Sequence, residues 1–275
     1  MPLGRQAVPT SRIWPSGGAH RWPPGGTSDA DSHDRGHLVY AARGVLSLHT
    51  ERGTSIVPAN RVAWTPAGFV HRHRAHGHTD MRIVFLPASL ARLVPDRPAV
   101  FTASDLAREV LLALTGPREY DRAASARLRR VLVDELREAP ERPLHLPEPR
   151  DDRLRALARR LYAEPGDNTS LADLGQRIGA SPRTLSRLFR DELGMTFHEW
   201  RTQVRIGHAL VLLADGHDTA ATARACGWAN PSHFIAAFTA VVGTTPGRHR
   251  STGGGPAVSV TRTAGREADA GSSSG

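Results

Sequence analysis

One segment near the C-terminal end could place several arginine side chains on one exposed helix face. Between 181 and 192, Leu185, Leu188 and Phe189 fall at helical spacing, which predicts that they face inward. The opposite face then carries Arg183, Ser186, Arg187 and Arg190. A planar guanidinium group can pair in a bidentate manner with a guanine base or a phosphate. The segment therefore indicates a nucleic-acid contact surface, and a solvated basic face is the alternative.

The same segment has a second copy 49 positions further along the chain. Ser181-Pro182 aligns with Asn230-Pro231, and Gly194 aligns with Gly243. Ser and Asn accept hydrogen bonds at a helix N-terminus, Pro is favoured at the first helical position, and Gly is favoured just after the last. We therefore predict two similar helix-turn-helix modules. In the first, the supporting helix covers 171–176, the turn 178–180 and the recognition helix 181–192.

Three stretches of the chain resemble the AraC/XylS family of transcription regulators. They are TSLADLGQRIGASPRTLSRLFRDELGMTFHEW, RIGHALVLLADG and ARACGWANPSHFIAAFTAVVGTTPGRHR, within roughly 150–250. Two copies at this spacing are more specific than one helix-turn-helix match. The resemblance implies base contacts at Arg183, Ser186 and Arg187, with Thr184 as a further candidate. Arg190 lies nearer the helix end and is expected to contact phosphate. The implied partners are double-stranded promoter DNA and RNA polymerase.

The second copy carries fewer residues that could contact bases. Its outward positions include Ala236, Thr239 and Ala240, where the family commonly has Arg or Lys. We therefore expect phosphate anchoring and shape readout there, with Ser232 and His233 contributing. A capping or packing role is the alternative for His233. The segment 196–214 is predicted to form one long helix that holds both recognition helices on one side of the duplex.

The segment from about 37 to 87 has the β-branched content and turn spacing of short strands, which predicts a small β-barrel or sandwich. Within it, the residues 66–71 (PAGFVH) match the P-x-G-x-x-H turn of cupins. The whole stretch HDRGHLVYAARGVLSLHTERGTSIVPANRVAWTPAGFVHRHRAHG resembles the cupin sensor domain of one AraC/XylS subgroup. That resemblance implies that His71 points into a barrel and that His33 and His37 occupy the other cupin histidine motif.

These histidines allow two kinds of site. We favour a metal-free pocket for a small effector, with His33, His37 and His71 as its polar groups. The alternative is a metal-binding cupin, either a sensor or an enzyme. The metal cupins normally supply a Glu, and GHLVYAARG contains none. Period-two alternation also places His71 and His73 on one strand face and His76 on the other, so the cluster is not a single ligand set.

The composition limits the classes of protein. The 275 residues carry a net charge of +9, but 150–250 has 14 Arg against 10 acidic residues, so the DNA prediction rests on the repeat rather than on charge. The lone Cys226 excludes an internal disulfide framework, and we expect it to be buried. No run of apolar residues is long enough to cross a bilayer, and the first residues lack a signal-peptide core. We therefore expect a cytoplasmic chain without membrane contact.

We predict an α+β fold in two domains: a cupin-like β-barrel with following helices, and an all-α domain of two helix-turn-helix units joined by a long helix. The helices within 101–140 can pack on the barrel or form a homodimer seam, since Leu128, Val131, Leu132 and Leu136 make an apolar stripe. The predicted boundaries are a poorly ordered arm at 1–30, the sensor at 31–100, helices at 101–140, a linker at 141–150, the DNA-binding domain at 151–250 and a disordered tail at 251–275.

The leading hypothesis is a transcription regulator controlled by a small effector bound in the cupin-like domain. No nucleophile elbow, P-loop or HExxH pattern is present, so we expect neither an enzyme nor a cofactor. The alternatives are the metal-binding cupin fused to a DNA-binding domain and a DNA-binding protein that does not respond to any ligand.

Overall fold

The chain has an N-terminal sheet with covering helices and a C-terminal helical part. A computed structural model describes residues 7–8, 17–141 and 144–253. The predicted α+β class and this order of its two parts are confirmed. None of the described helices combines the length and the apolar character needed to span a membrane.

The strands are β1 (Ala7–Val8), β2 (Gly18–Trp22), β3 (Thr27–Ser28), β4 (His37–Thr50), β5 (Gly53–Pro58), β6 (Arg61–Thr65), β7 (His71–Phe85), β8 (Ala99–Thr102) and β9 (Leu144–Pro147). The helices are α1 (Ala88–Ala91), α2 (Asp105–Thr115), α3 (Arg122–Glu138), α4 (Asp152–Ala163), α5 (Leu171–Arg177), α6 (Pro182–Leu193), α7 (Phe197–Ala214), α8 (Thr219–Ala225), α9 (Pro231–Val242) and α10 (Pro246–Gly253).

Strands β4 and β7 pair along almost their whole lengths and form the centre of the sheet. Strands β2 and β3 pair with β7, and β5 and β6 pair with β4. Their antiparallel register runs from His37 opposite Phe85 to Thr50 opposite His71. The first half of β4 also pairs with β6, and its second half pairs with β5. The sheet therefore divides into two halves that share the β4–β7 pair.

A bulge separates these two halves. The β4–β7 register shifts between Ala41 and Val45. At Gly44 φ is +82°, and a Cβ atom there would lie 2.6 Å from the hydroxyl oxygen of Thr79. Because only glycine tolerates both conditions, Gly44 permits the bend at this point.

The two halves of the sheet enclose a common apolar core, which we call the sheet interior. Its buried side chains come from both halves: Trp22, Val39, Ala41, Leu46, Leu48, Val57, Ala63, Ala75, Met81, Ile83, Phe85 and Val100. The strand pairing among the described residues is that of an open, folded sheet, so the closed cupin-like barrel stays a prediction.

Two of the segments predicted to lie outside the domains contain strands of the sheet. Strand β2 pairs with β7 and buries Trp22 in the sheet interior, so ordered structure begins inside the predicted arm 1–30. Strand β9 pairs with β5, so the predicted linker 141–150 contains a sheet strand. Both segments are rich in Pro or Gly, which predicts irregular structure. Their pairing partners, β7 for β2 and β5 for β9, lie far away in the sequence, so no local pattern indicated these strands. The arm up to 16, apart from 7–8, and the tail from 254 onward lie outside the described residues.

Helices α2 and α3 cover the outer face of the first half of the sheet. In the predicted apolar stripe of α3, Leu132 and Leu136 are buried against this face, and Leu128 is packed beside them. Val131 is exposed. The packing role therefore accounts for most of the stripe, and the homodimer seam stays a prediction.

The outer face of the second half of the sheet packs directly on the helical part. Val45, Ile56 and Leu144 share one buried core with side chains of α7, α8 and α9. The Arg61 guanidinium donates a 2.7 Å hydrogen bond to the carbonyl oxygen of Val242, the last residue of α9. A Cβ atom at Gly207 would lie 3.4 Å from Ile56 Cγ1, so α7 approaches β5 closely. The sheet and the second helix-turn-helix unit therefore form one packed body.

We predict that Gly207→Leu destabilises the chain by about 1–3 kcal/mol, because the added side chain meets Ile56 across this contact. In an Ile56→Ala background the same change should cost at least about 0.5 kcal/mol less, since the shorter side chain leaves room. Urea unfolding measures both costs. Val57→Ala is the matched control background, because Val57 faces the sheet interior and should give no relief. Equal costs in all three backgrounds would contradict this packing.

Candidate DNA-reading surface and histidine cluster

Helix α6 is held at both ends by the residues that its sequence pattern indicated. The Ser181 hydroxyl oxygen accepts a 3.1 Å hydrogen bond from the Thr184 backbone N–H, and Pro182 occupies the first turn. Gly194 ends the helix with φ of +68°, the left-handed conformation that favours glycine. These caps place α6 at Pro182–Leu193.

The inner face of α6 belongs to the core of the first unit. Leu185, Phe189 and Leu193 are buried together with Trp200 of α7. The Phe189 and Trp200 ring centroids lie 5.7 Å apart. Because this face is fixed by packing, the opposite face has one orientation toward solvent.

That outer face carries three exposed arginines: Arg183, Arg187 and Arg190. Their spacing of four and three residues puts them on one side of the helix. Within the described part of the chain, Arg183 and Arg187 form no hydrogen bond or ion pair. Their guanidinium donors are therefore available to an outside acceptor.

Thr184 and Ser186 are less accessible than these arginines. Both are half-buried, and the Thr184 hydroxyl lies 2.8 Å from the Ser181 hydroxyl at the helix cap. The structure thus assigns Thr184 a capping contact, whereas its contact with DNA stays a prediction.

The turn before α6 explains why Gly175 is needed in the supporting helix α5. A Cβ atom at Gly175 would lie 2.3 Å from the carbonyl oxygen of Ala180. The chain reverses at Gly179, where φ is +67°, and the Ala180 N–H donates a 2.9 Å bond to the Gly175 carbonyl oxygen. This close approach sets the angle between α5 and α6.

Helix α9 repeats the architecture of α6 without its charge. The Asn230 side chain caps the N-terminus and Gly243, at φ of +85°, ends the helix. Phe234 and Phe238 are buried, whereas Ser232 and His233 are exposed. The rest of the outer face is apolar or small, including the exposed Ile235, Ala236 and Ala240.

Helix α7 connects the two units, and a buried arginine in it was missed by the sequence reasoning. Arg205 donates hydrogen bonds to the carbonyl oxygens of Pro165 (3.0 Å) and Asp167 (2.9 Å) and to the side chain of Asn168 (2.9 Å). Its guanidinium lies 5.5 Å from the centroid of the Trp228 ring in the second unit. Arg205 therefore ties the loop before α5 to the turn before α9. In the sequence it is one arginine among many, and no local pattern marks it as buried.

Near Arg205, Cys226 is buried as expected, and burial raises the pKa of its thiol to about 12. The thiol is therefore protonated at neutral pH, which disfavours a nucleophilic role.

In the N-terminal part, the structure brings together the three histidines that were predicted to bind an effector. One ring nitrogen each of His33, His37 and His71 can be chosen so that all three lie within 4.8 Å of one another. The ring centroids are 4.7 Å apart for His33–His37, 5.1 Å for His33–His71 and 4.8 Å for His37–His71. His37 and His71 are only 2% and 6% exposed, and His33 is half-buried.

Two of the three rings have a fixed orientation. The His71 Nδ1 atom lies 2.9 Å from the carbonyl oxygen of Phe69, and the His33 Nδ1 atom lies 2.6 Å from that of Arg35. A carbonyl oxygen can only accept, so each Nδ1 must carry the proton and donate it. In the neutral ring, Nε2 is then left with a free lone pair.

A fourth imidazole, that of His73, lies beside the cluster. Its ring centroid is 5.2 Å from that of His71, it is 3% exposed, and neither ring nitrogen has a hydrogen-bond partner among the described residues. His76 lies away from these rings, and its Nε2 contacts the Ser47 hydroxyl at 2.5 Å. Alternation along β7 therefore separates His71 and His73 from His76, as the sequence indicated.

Burial makes these imidazoles poor bases. Desolvation, with smaller effects from neighbouring histidines, lowers the pKa of His73 to about 3 and that of His37 well below its ordinary value. Desolvation also lowers the pKa of His71, against an opposing hydrogen bond to Phe69. Burial therefore favours the neutral form of His37, His71 and His73.

A separate cleft opens on the outer side of the same loops. Its volume is about 720 Å³, and its lining is mostly apolar, with Trp64, Phe69 and Leu86 on its walls. Arg35 and Arg92 also line this cleft. The N-terminal part thus offers two places for a small ligand, the cluster and the cleft.

Comparison with known proteins finds similarity to helix-turn-helix transcription regulators. A helix-turn-helix domain family model matches residues 174–252. The HTH-type transcriptional regulator NimR of Escherichia coli is 29% identical over 225 residues, covering 81% of this chain and 82% of NimR. The HTH-type transcriptional regulator RipA of Corynebacterium glutamicum is 39% identical over 101 residues, covering 37% of this chain and 30% of RipA. The arabinose operon regulatory protein of Escherichia coli is 28% identical over 190 residues, covering 68% of this chain and 64% of that protein.

We predict that Arg205→Lys lowers the free energy of unfolding by about 1–3 kcal/mol, because a single ammonium cannot replace the fork of donors that serves three acceptors. The midpoint of urea unfolding measures this loss. Arg159→Lys, on an exposed position of α4, is the matched control and should leave the midpoint unchanged. Similar midpoints for both variants would show that Arg205 does not tie the two units together.

Proposed function

This chain belongs to the AraC/XylS family of transcription regulators, and we propose that it reads promoter DNA mainly through helix α6, under the control of an effector bound in the N-terminal part. The observation that supports this proposal most directly is the exposed, unengaged pair Arg183 and Arg187 on a helix whose other face is locked in a core. Each guanidinium matches the two acceptors of a guanine in the major groove.

The two units have different tasks in this proposal. Helix α6 selects bases through Arg183 and Arg187, while Ser186 and Thr184 approach the same groove and Arg190 binds phosphate. Helix α9 has no arginine, so Ser232 and His233 anchor the second unit and the response to sequence there comes from DNA shape. Exposed Arg248 and Arg250 in α10 add positive charge next to α9.

Helix α7 supplies the spacing between the two contacts. Its 18 residues span about 27 Å at 1.5 Å per residue. Successive major-groove segments on one side of B-form DNA lie about 34 Å apart. With a unit attached at each end, α7 has the length to present α6 and α9 to adjacent turns.

The sensing part can influence DNA binding because it packs on the second unit. An effector that binds more tightly to one arrangement of sheet and helices shifts the population toward that arrangement. We propose that His33, His37 and His71 bind the effector, and the cleft beside Trp64 is the alternative effector-binding site. The same proposal includes contact with RNA polymerase. It also includes pairing with a second copy through the apolar stripe of α3, of which Val131 is exposed.

The proposal is tested by selecting duplexes from a random pool with the wild-type chain and measuring Kd for the selected site. Arg187→Ala should weaken binding by about 1–3 kcal/mol, roughly 5- to 150-fold, and should relax selectivity at one base pair. Arg137→Ala removes an equal charge from the exposed face of α3 and should leave both quantities unchanged.

A second prediction separates the two units. Replacing His233 with Ala should weaken binding to all duplexes to a similar degree, because an anchoring contact does not distinguish one base pair from another. Competition between selected and random duplexes measures this ratio at fixed salt. A loss of selectivity in His233→Ala that matches or exceeds that in Arg187→Ala would contradict the proposed division of roles.

A further inference from the structure

We infer that His33, His37 and His71 bind one divalent transition-metal ion. The inference deepens the proposed function, on which it rests for its regulatory meaning, by assigning a chemical class to what the sensing part recognises. The first observation is that three imidazole nitrogens from separate segments lie within 4.8 Å of one another in a largely buried position.

The distances are compatible with metal ligation after a small closure. A tetrahedral ion with metal–nitrogen bonds of about 2.0–2.1 Å needs nitrogen atoms about 3.3 Å apart. The present spacing of up to 4.8 Å therefore requires the rings to approach by about 1.5 Å at most. His33 lies on a loop rather than in a strand, so it can supply most of this movement.

The rings are also prepared for ligation by their backbone contacts. The carbonyl oxygens of Phe69 and Arg35 hold the protons of His71 and His33 on Nδ1. Histidine ligands in metal sites commonly donate their other N–H group in this way, which fixes the ring and leaves the ligating nitrogen with a lone pair. Packing alone does not require three imidazole rings from separate segments to lie within 4.8 Å of one another by their nitrogen atoms.

The cluster and the adjacent His73 contain buried ring nitrogens without a hydrogen-bond partner among the described residues. They are the Nδ1 atom of His37 and both ring nitrogens of His73. Leaving such groups unpaired in the interior destabilises the folded state, so binding of an ion by ring lone pairs here would stabilise it. His73 lies close enough to act as a fourth imidazole after a modest shift.

The donor set indicates which ions fit. Imidazole nitrogen suits Zn²⁺, Cu²⁺, Ni²⁺ and Fe²⁺, whereas Mg²⁺ and Ca²⁺ require oxygen ligands. The group found among the described residues consists of three imidazole rings without a carboxylate. An ion held there would keep its double positive charge, and its free positions would face the half-buried His33 side, where water or an anionic ligand can reach it.

An ion at this position would cross-link the sheet. His37 begins β4 in the first half of the sheet, and His71 begins β7 in the second half. The segment that carries His33 is hydrogen-bonded to the region where β7 begins. The His33 carbonyl oxygen accepts a 2.8 Å bond from the Gly68 N–H, and Asp31 pairs with His71 through two 2.9 Å backbone bonds. Metal binding would therefore tighten the two halves that enclose the sheet interior.

The test uses the full chain after treatment with EDTA, with Co²⁺ and Zn²⁺ as the probes. We expect one equivalent of metal per chain, visible absorption bands for Co²⁺ that Zn²⁺ abolishes, and a rise in melting temperature. His71→Ala and His33→Ala should each weaken binding at least 10-fold, in line with the loss of a metal ligand. His78→Ala, an exposed histidine on the same strand, is the matched control and should bind like the wild type.

The outcomes separate this inference from the proposed function. If His71→Ala fails to fold by circular dichroism, His33→Ala decides, since His33 is half-buried outside the strands. Substoichiometric binding by the wild type, or equal binding by His33→Ala and His78→Ala, would overturn the metal site and leave a cluster satisfied by water. DNA selection with the metal-free wild type runs in parallel. Its failure beside intact metal binding would refute the DNA-reading proposal alone.

Discussion

The packing of helix α7 is the constraint on which the rest of the structure depends. Its N-terminal end places Trp200 in the core of the first unit. Its C-terminal half places Leu210 in the core of the second unit, which the sheet shares, and Gly207 in contact with Ile56 of that sheet. One rigid 18-residue helix therefore belongs to three packed regions. Because close-packed interiors respond to displacements of a fraction of an ångström, a shift of the sheet must act on the position of at least one recognition helix.

The division of labour between the units follows from this arrangement. The sheet contacts the second unit most extensively, and that unit has few groups able to read bases. The first unit carries the exposed arginines and meets the sheet through Leu146 of β9. Under the proposed function, a signal from the N-terminal part would reach the second unit first, so affinity could change while a base preference set by α6 is retained. The histidine cluster joins the start of β4 to the start of β7, at the ends of the two halves that lie away from the bulge at Gly44. Under the inferred metal binding, ligation there would link these two ends.

Local signals in the sequence predicted the helices that form the candidate DNA-reading surface. Caps such as Ser181 and Asn230, terminal glycines and the 3.6-residue period depend only on near neighbours, so helices α6 and α9 could be placed from the sequence. The contacts of Arg205 and the pairing of β9 with β5 could not be predicted from the sequence, because they join segments that lie far apart in the chain. The three histidines were named from a motif resemblance, whereas their mutual distances required the fold of the sheet. The bend at Gly44 that brings the halves together has no local signature beyond one glycine.

Footprinting on a selected half-site tests the central claim most directly, since it shows whether α7 holds α6 and α9 on neighbouring turns of one duplex. Hydroxyl-radical cleavage should reveal two protected stretches on the same side of the helix, with centres about 10–10.5 base pairs apart. Methylation of guanine N7 should interfere with binding in one of these stretches, the one that faces Arg183 and Arg187. A single protected stretch, or two stretches on opposite sides of the duplex, would contradict the account.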